Sequence, residues 1–435
     1  MDRAEHRQSR LSDPRPGRFR RTHRSDRAHA SHAAQTSVAV IGRLAAAAAV
    51  ITFAAPAASP GVTPTTITIG GTVPLSGPAA AYASVGRGAD AYFRYVNSKG
   101  GVFGRKIVYK YLDDEFDVAK TITLTRQLVE QDQVLAIFNS VGTEHALAIR
   151  SYLNDRKVPQ LFVGSGVSKL ATEHTKYPWS MGYLPSFAGE GAIYGRYVAT
   201  HRPRSRIAVL YENSDFGKDM LNGLRRGLGG KAKVVGTQAY EITDADVSSQ
   251  MARLKSTGAD TLMLFATPKF AIFGYVGAFR LGWHPHVYVT SVSISPDIMK
   301  IARVASSRKE VAGSISIAFV KDPTSKTWAK DKTVRLYRSI LQRFLPDAKP
   351  DDVFNYYGMA VAYTMVDTLR HAGRDPTRAG VLKAATHLDE TNPFLLPGIR
   401  IKTSPQDYLP MDRVKLARYQ GDHWQFFGRL VNARG

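Results

Sequence analysis

The chain has 435 residues, 44% apolar and 22% charged, which is ordinary for a globular protein and long enough for two domains. It contains no cysteine, which excludes disulfides, a cysteine-ligated zinc site, a thiol nucleophile and a cysteine-linked lipid anchor. Its net charge of +23 is large, but the bases are scattered and not interleaved with aromatics, so it reads as a basic protein facing anionic envelope polymers and not as a nucleic-acid binder.

Residues 1–37 are polar and arginine-rich, without helical periodicity, and read as disordered. An alanine-rich apolar run follows, Val38 to Ala58, and ends in small residues. A basic segment, an apolar segment and small residues before a cut are the parts of a secretory signal. Residues 1–60 are therefore read as a basic region plus an export signal, and the rest as the exported protein.

From Thr66 the pattern becomes regular. Ile67 and Ile69 alternate with Thr66 and Thr68, as in a strand with one buried face. Pro74, Ser76, Gly77 and Pro78 break it into a loop. Ala89, Tyr92, Phe93 and Val96 then fall at helical spacing. Lys106 to Leu112 alternates as a second strand and ends at Asp113, Asp114 and Glu115. Asp117 caps a predicted helix from Val118 to Glu130, with Val118, Ile122, Thr125 and Val129 as its buried stripe. Val134 to Phe138 is a short apolar strand that empties into Asn139 to Thr143 and a helix through Leu153. Val158 to Val163 is the next strand, followed by the loop Gly164 to Ser168.

Pro185 to Gly189 reads as a boundary, after which a helix runs from Glu190 to Thr200. The pattern then restarts. Strands are predicted at 206–211, 234–240, 261–265 and 286–291, and helices at 218–228, 247–255 and 268–281. Asp117-Val118, a helix and a strand in the first half match Asp246-Val247, a helix and a strand in the second. Glu310 to Val320 reads as a strand, Val353 to His371 as a long helix ending at Gly373, and Asp412 to Phe427 as a hairpin turning at Gly421-Asp422. Alternating strands and helices imply an α/β fold with doubly wound parallel sheets, and the repeated pattern implies two similar lobes with a cleft between them.

A set of short motifs in this order and spacing resembles a known family. They are Gly77-Pro78 after the first strand, Gly100-Gly101-Val102-Phe103-Gly104 before the second and Asp113-Asp114 after it. The Gly142-Thr143 loop, Val158-Pro159, the Gly166 loop and Asp215-Phe216-Gly217 complete the set. The chain resembles the type I periplasmic binding proteins of the branched-chain amino-acid class, the receptor part of ABC importers, from about Ile67 to Phe427. The resemblance implies two lobes joined by a three-crossing hinge, with the ligand held between them. Lobe one would comprise residues 65–185 with 320–405, and lobe two 186–319 with 411–428. It also implies an ABC permease and ATPase as partners, no cofactor, no metal, no catalytic residues, and a monomer.

The resemblance places ligand contacts at named positions. A ligand carboxylate would be held by small hydroxyl residues and backbone N–H groups at Ser140, Gly142 and Thr143 and at Gly166 and Ser168. A carboxylate accepts up to about four hydrogen bonds, and helix N-termini favour its charge. Thr143 and Ser168 also read as plain helix caps. Ser76 and Tyr82 would form one edge of the lid, although Tyr82 also reads as a surface residue. Phe216 stands where the family has a tyrosine, and Thr267 near another family aromatic; core packing and helix capping are the other readings of these two. Amino-acid binders of this family place a glutamate after the strand that here ends at Ser291, itself an expected ligand contact. Residues 290–295 contain no acid, and an ammonium buried without a partner is costly. The expected ligand is therefore a small organic acid or amide without an amine, unless Glu190 or Asp215 supplies the acid.

No Walker loop, nucleophile elbow or HExxH motif is present. An exported receptor feeding an ABC permease is thus the first reading. A ligand sensor of the same fold, signalling to a regulator, is the second, and an enzyme is the last.

Overall fold

The structure, a computed structural model, describes residues 59–434. The arginine-rich segment and the export signal read from the sequence lie on residues 1–58, outside the described range. Among the described residues no helix is long and apolar enough to cross a membrane.

Two sheets organise the chain. The first contains β1 (Thr66–Val73), β2 (Lys106–Asp113), β3 (Ile137–Phe138), β4 (Gln160–Val163) and β5 (Ser180–Gly182), all parallel, in the order β2-β1-β3-β4-β5. The alternation at its start behaves as read: Ile67 and Ile69 are buried, and Thr66 and Thr68 half-buried. The second contains β6 (Arg206–Glu212), β7 (Lys233–Tyr240), β8 (Thr261–Phe265), β9 (His286–Val289) and β10 (Ile315–Ala318). Its parallel part runs β7-β6-β8-β9-β10, the same arrangement as the first sheet. A small antiparallel pair, β11 (Asp389–Glu390) and β12 (Ile401–Lys402), stands apart. The hairpin of β13 (Arg413–Gln420) and β14 (His423–Asn432) then extends the second sheet antiparallel to β10. The architecture is α/β, with two lobes built on parallel-dominated sheets. In each lobe the strand order reverses beside the first strand, between β1 and β3 and between β6 and β8, and open α/β sheets bind ligands at such points.

In each lobe the first helix packs tightly on a helix from elsewhere in the chain. Helix Ala83–Ser98 lies against Val353–His371, and helix Asp215–Leu228 against Phe187–His201. The long helix keeps the bounds read from its apolar spacing and stops at Gly373 with φ +88°.

Several bounds shift: the strand read at Val134 to Phe138 narrows to Ile137–Phe138, that read at 286–291 ends at Val289, and the helix read from Glu190 already begins at Phe187, within the boundary read at Pro185 to Gly189. Two further elements differ in kind. Glu310 to Val320 is not one strand: Arg308–Val311 is a helical turn capped by Ser307, and the strand is only Ile315–Ala318. Gly313, at φ +80°, breaks the run between them. The helix from Val118 ends at Arg126 and passes into a π-turn, Gln127–Gln131. Its buried side chains are Thr121, Thr125, Leu128 and Val129, and Ile122 is exposed. The Thr121 hydroxyl donates to buried Asp114 Oδ2 at 2.9 Å, which turns that face inward, and the wider π-turn shifts the register after it.

Glu390 on β11 is buried; Oε1 accepts from Thr364 Oγ1 at 2.8 Å, while Oε2 has no partner among the described residues. Burial pushes its carboxyl up to about 8. The folded form thus holds a proton that the unfolded chain releases near the ordinary glutamate value. This contribution is fully present below about pH 4.3 and is lost as pH rises through about 8. Glu390→Gln should match the wild type in Tm at pH 4.5 and exceed it by a few degrees above pH 8. Parallel melting curves across this range would refute the assignment.

Candidate ligand-binding site

The carboxyl ends of the strands in the two lobes face a cavity of about 110 Å³. Lobe one supplies Tyr82, Gly142, Thr143 and Phe354, and lobe two Glu212, Phe216, Thr267 and Ser291. Most of the remaining wall is aliphatic or aromatic, including Phe116, Phe187, Phe319 and Tyr357. Among the described residues no Lys, Arg or His lines it, and Glu212 is its one carboxyl group.

The polar end in lobe one is the start of helix Thr143–Asp155. Its N-cap is Gly142, at φ +117°, and no side chain caps it. The N–H groups of the first turn are therefore left for another acceptor. Glycine is required here twice over: the φ is one L side chains rarely adopt, and a Cβ would sit 2.4 Å from His145 Nδ1. Thr143 is the first helical residue and not the cap. Its hydroxyl lies 2.8 Å from Ser165 Oγ, which also accepts from Val167 N–H. Beneath this turn His145 is buried, with neither ring nitrogen partnered among the described residues, and its ring lies tilted against cavity-lining Phe116, with centroids 4.1 Å apart. Burial pushes the His145 imidazole down, against the opposing pull of Asp114. Sequence reasoning did not single out this histidine; its signal was its place three residues into a glycine-capped helix.

Tyr82 is buried, not on the surface. Its hydroxyl donates to Val292 O at 3.1 Å, and its ring meets Phe354 edge-on with centroids 5.1 Å apart. Phe216 is buried against Phe187 at 4.8 Å. Thr267 begins helix Pro268–Arg280 without capping it through its side chain. Its N–H donates instead to Tyr240 Oη, and its hydroxyl lies 3.2 Å from the same oxygen.

The structure brings six of the ten expected contacts to the cavity: Tyr82, Gly142, Thr143, Phe216, Thr267 and Ser291. Four lie elsewhere. Ser76 is exposed, and its N–H and hydroxyl both donate to Asp113. Ser140 is buried behind the wall, where its Oγ accepts from Thr72 N–H at 3.2 Å. Gly166 and Ser168 line a separate groove with Arg226, Tyr408 and Arg434. Ser168 donates from both its N–H, at 2.6 Å, and its hydroxyl, at 2.7 Å, to Asp219 Oδ2 in lobe two. The two Ser168 donors thus join the lobes. Lys169 pairs with Asp215 at 2.5 Å beside them, and Asp215 N–H donates to Glu144 at 2.6 Å.

The acids resolve into three roles. Asp215 belongs to that cross-lobe cluster. Glu190 is buried behind Ser291, accepting from Ser291 N–H at 2.6 Å, Ser291 Oγ at 2.7 Å and Tyr194 Oη at 2.6 Å. Glu212, the last residue of β6, reaches the wall itself. Its Oε2 accepts from Tyr240 Oη at 3.1 Å. Burial raises the Glu212 carboxyl above its ordinary value, while its hydrogen bonds pull it down and the charge of Glu144 raises it further. The sequence reading passed over Glu212 because an acid closing a strand ordinarily faces solvent.

A model of the periplasmic binding protein family matches residues 66–423. The Leu/Ile/Val-binding protein homolog 3 of Brucella melitensis is 25% identical over 203 residues, covering 45% of this chain and 53% of that protein. The chain thus matches about half the length of this curated relative. A fatty acid ABC transporter substrate-binding protein from Thermomonospora curvata superposes with a TM-score of 0.74 at 18% identity, over 86% of this chain and 94% of that one. An ABC transporter solute-binding protein from Rhodopseudomonas palustris BisB5, solved with 3,4-dihydroxybenzoic acid, gives 0.69 at 17% identity, over 85% and 98%. At these identities the structural likeness is one of fold.

Proposed function

The chain belongs to the periplasmic binding protein family, in its type I branched-chain amino-acid class, and from that premise we propose that it is the exported receptor of an ABC importer for a small, largely apolar carboxylate. The observation that carries this reading is the uncapped start of helix Thr143–Asp155, opening into an apolar cavity between two lobes. The first-turn N–H groups and the Thr143 hydroxyl offer donors to a carboxylate, and the helix dipole favours its charge without any cation. The apolar wall takes the rest of the ligand. A cavity of about 110 Å³ suits one ring or a branched aliphatic chain and is too small for a long acyl chain.

In this reading the lobes close on the ligand as a hinge at the chain crossings near residues 185, 320 and 405–411, and the closed form is what a permease recognises. Lobe one then comprises residues 65–185 with 320–405, and lobe two 186–319 with 411–428. The export signal read at residues 1–60 delivers the receptor outside the cell.

A thermal-shift screen of benzoates, branched aliphatic acids and branched-chain amino acids tests the proposal. A true ligand at 100 times its Kd stabilises the fold by about 2.7 kcal/mol. Thr143→Ala should weaken binding of that ligand about tenfold, in line with the loss of one hydrogen bond to a charged group, and leave the unliganded Tm within a degree or two. Unchanged affinity in this variant would move the carboxylate away from the helix start. If no small carboxylate raises the Tm, the receptor reading for this ligand class is wrong.

A further inference from the structure

We propose that Glu212 selects the ligand, its free oxygen receiving a hydrogen-bond donor, either a hydroxyl or an ammonium, that the ligand carries besides its carboxylate. This inference rests on the receptor reading above. Among the described residues Glu212 is the one carboxyl on a wall that is otherwise largely apolar, and it stands on lobe two, whereas the helix start with Thr143 stands on lobe one. Its two oxygens are unequal. Oε2 is held by Tyr240 Oη at 3.1 Å, and Tyr240 is itself fixed by Thr267 N–H at 2.9 Å. Oε1 accepts no hydrogen bond of ordinary geometry among the described residues, although the Ser214 hydroxyl lies near enough to the carboxyl to favour its charge. Tyr240 is buried, so the carboxyl is held by a rigid support on the cavity wall.

A buried acceptor without a partner is costly, and a ligand that fills the cavity with carbon alone would strip the last water from it. A ligand with a donor at that position removes the cost. Selection therefore works mainly by rejection of donor-free analogues. Glu190 does not compete for this role, because its oxygens are already occupied by Ser291 and Tyr194. The inference also revises the expectation of an amine-free ligand, since the acid missing after β9 is replaced by one at the end of β6.

Calorimetry with two matched ligand pairs tests the proposal. Benzoate against 3- and 4-hydroxybenzoate isolates a hydroxyl donor, and 4-methylpentanoate against leucine isolates an ammonium. In one pair the donor-bearing member should bind at least about tenfold tighter to the wild type. Glu212→Gln keeps the shape and, through its amide oxygen, the Tyr240 bond, but turns an NH₂ group to the cavity. It should erase the preference, mainly by raising the affinity of the donor-free member, because an unpaired amide is less costly to bury than an unpaired carboxylate. Equal wild-type affinities within both pairs, or a preference that survives in Glu212→Gln, would overturn the role of Glu212 and leave the receptor reading intact. Failure of every probe to bind would remove that reading and this inference together.

Discussion

Replacing Gly191 by valine should leave lobe two unable to form its native helix pair, and alanine alone should already lower stability. Helices Phe187–His201 and Asp215–Leu228 touch backbone to backbone. A Cβ on Gly191 would sit 2.1 Å from Met220 O, and one on Gly195 2.4 Å from Leu224 O. From the other helix, a Cβ on Gly223 would sit 2.0 Å from Ala188 O, and one on Gly227 2.2 Å from Ala192 O. All four obstacles are main-chain atoms, which cannot rotate aside as a side chain does. The helices must separate, and buried Met220 and Leu224 lose their packing with them. Overpacking of this kind costs about 1–3 kcal/mol for a single methyl and more for valine. Helix propensity acts the other way, favouring alanine over glycine by about 1 kcal/mol. The sign of the change therefore decides between the two effects. Gly191→Ala and Gly223→Ala should each lower the Tm by several degrees, and Gly191→Val should abolish cooperative unfolding of the native form. A rise in Tm for both alanine variants would mean that the helices sit further apart than described. The contact bears on function because Glu190 adjoins Gly191 and Phe216 opens the partner helix, so separation of the pair would move both supports of the lobe-two wall.

What the sequence made legible was local. β8 and helix Val353–His371 have the bounds their apolar runs imply, because a short buried strand and an evenly striped helix each carry their own period. The correspondence of the halves was legible for the same reason, and the shared strand order of the two sheets reproduces it. Glu310 to Val320 misled because its alternation survives a capped turn and a left-handed glycine that periodicity does not register. Helix Lys332–Phe344 went unread, although five of its residues are buried, because it follows a loop dense in Pro, Ser and Lys. At the site, Gly142 and Thr143 were legible as a small pair at a strand end. Ser168 was legible as a donor but not in its destination. Its acceptor lies 51 residues away in the other lobe, and only tertiary packing brings it there. Glu212 was hidden for the same reason: whether a strand-end acid faces water or a cavity depends on what the opposite lobe lays over it.

That cross-lobe acceptor leads to the second large effect: Asp219→Ala should weaken ligand binding about 10- to 100-fold without touching the ligand. Asp219 Oδ2 takes two donors from Ser168, one of them a backbone N–H that no substitution at Ser168 removes. A hydrogen bond to a charged group contributes about 1.5–3 kcal/mol; the two donors share one oxygen and are rehydrated when the lobes part, so that counted as one such bond their loss lowers the closed population by about one to two orders of magnitude. Apparent affinity falls by the same factor when only the closed form grips the ligand. The neighbouring Lys169–Asp215 pair should matter much less. Lys169 is exposed, and exposed pairs are worth about 0–1 kcal/mol and weaken in salt. Lys169→Ala is therefore expected to change affinity less than about fivefold, with the difference vanishing at high ionic strength. The loss in Asp219→Ala should appear mainly as faster ligand release, since these bonds form only once the lobes have met. Stopped-flow release rates for the two variants separate the cases. If Asp219→Ala releases ligand at the wild-type rate, these cross-lobe contacts do not hold the cleft shut, and the grip resides wholly in the cavity wall.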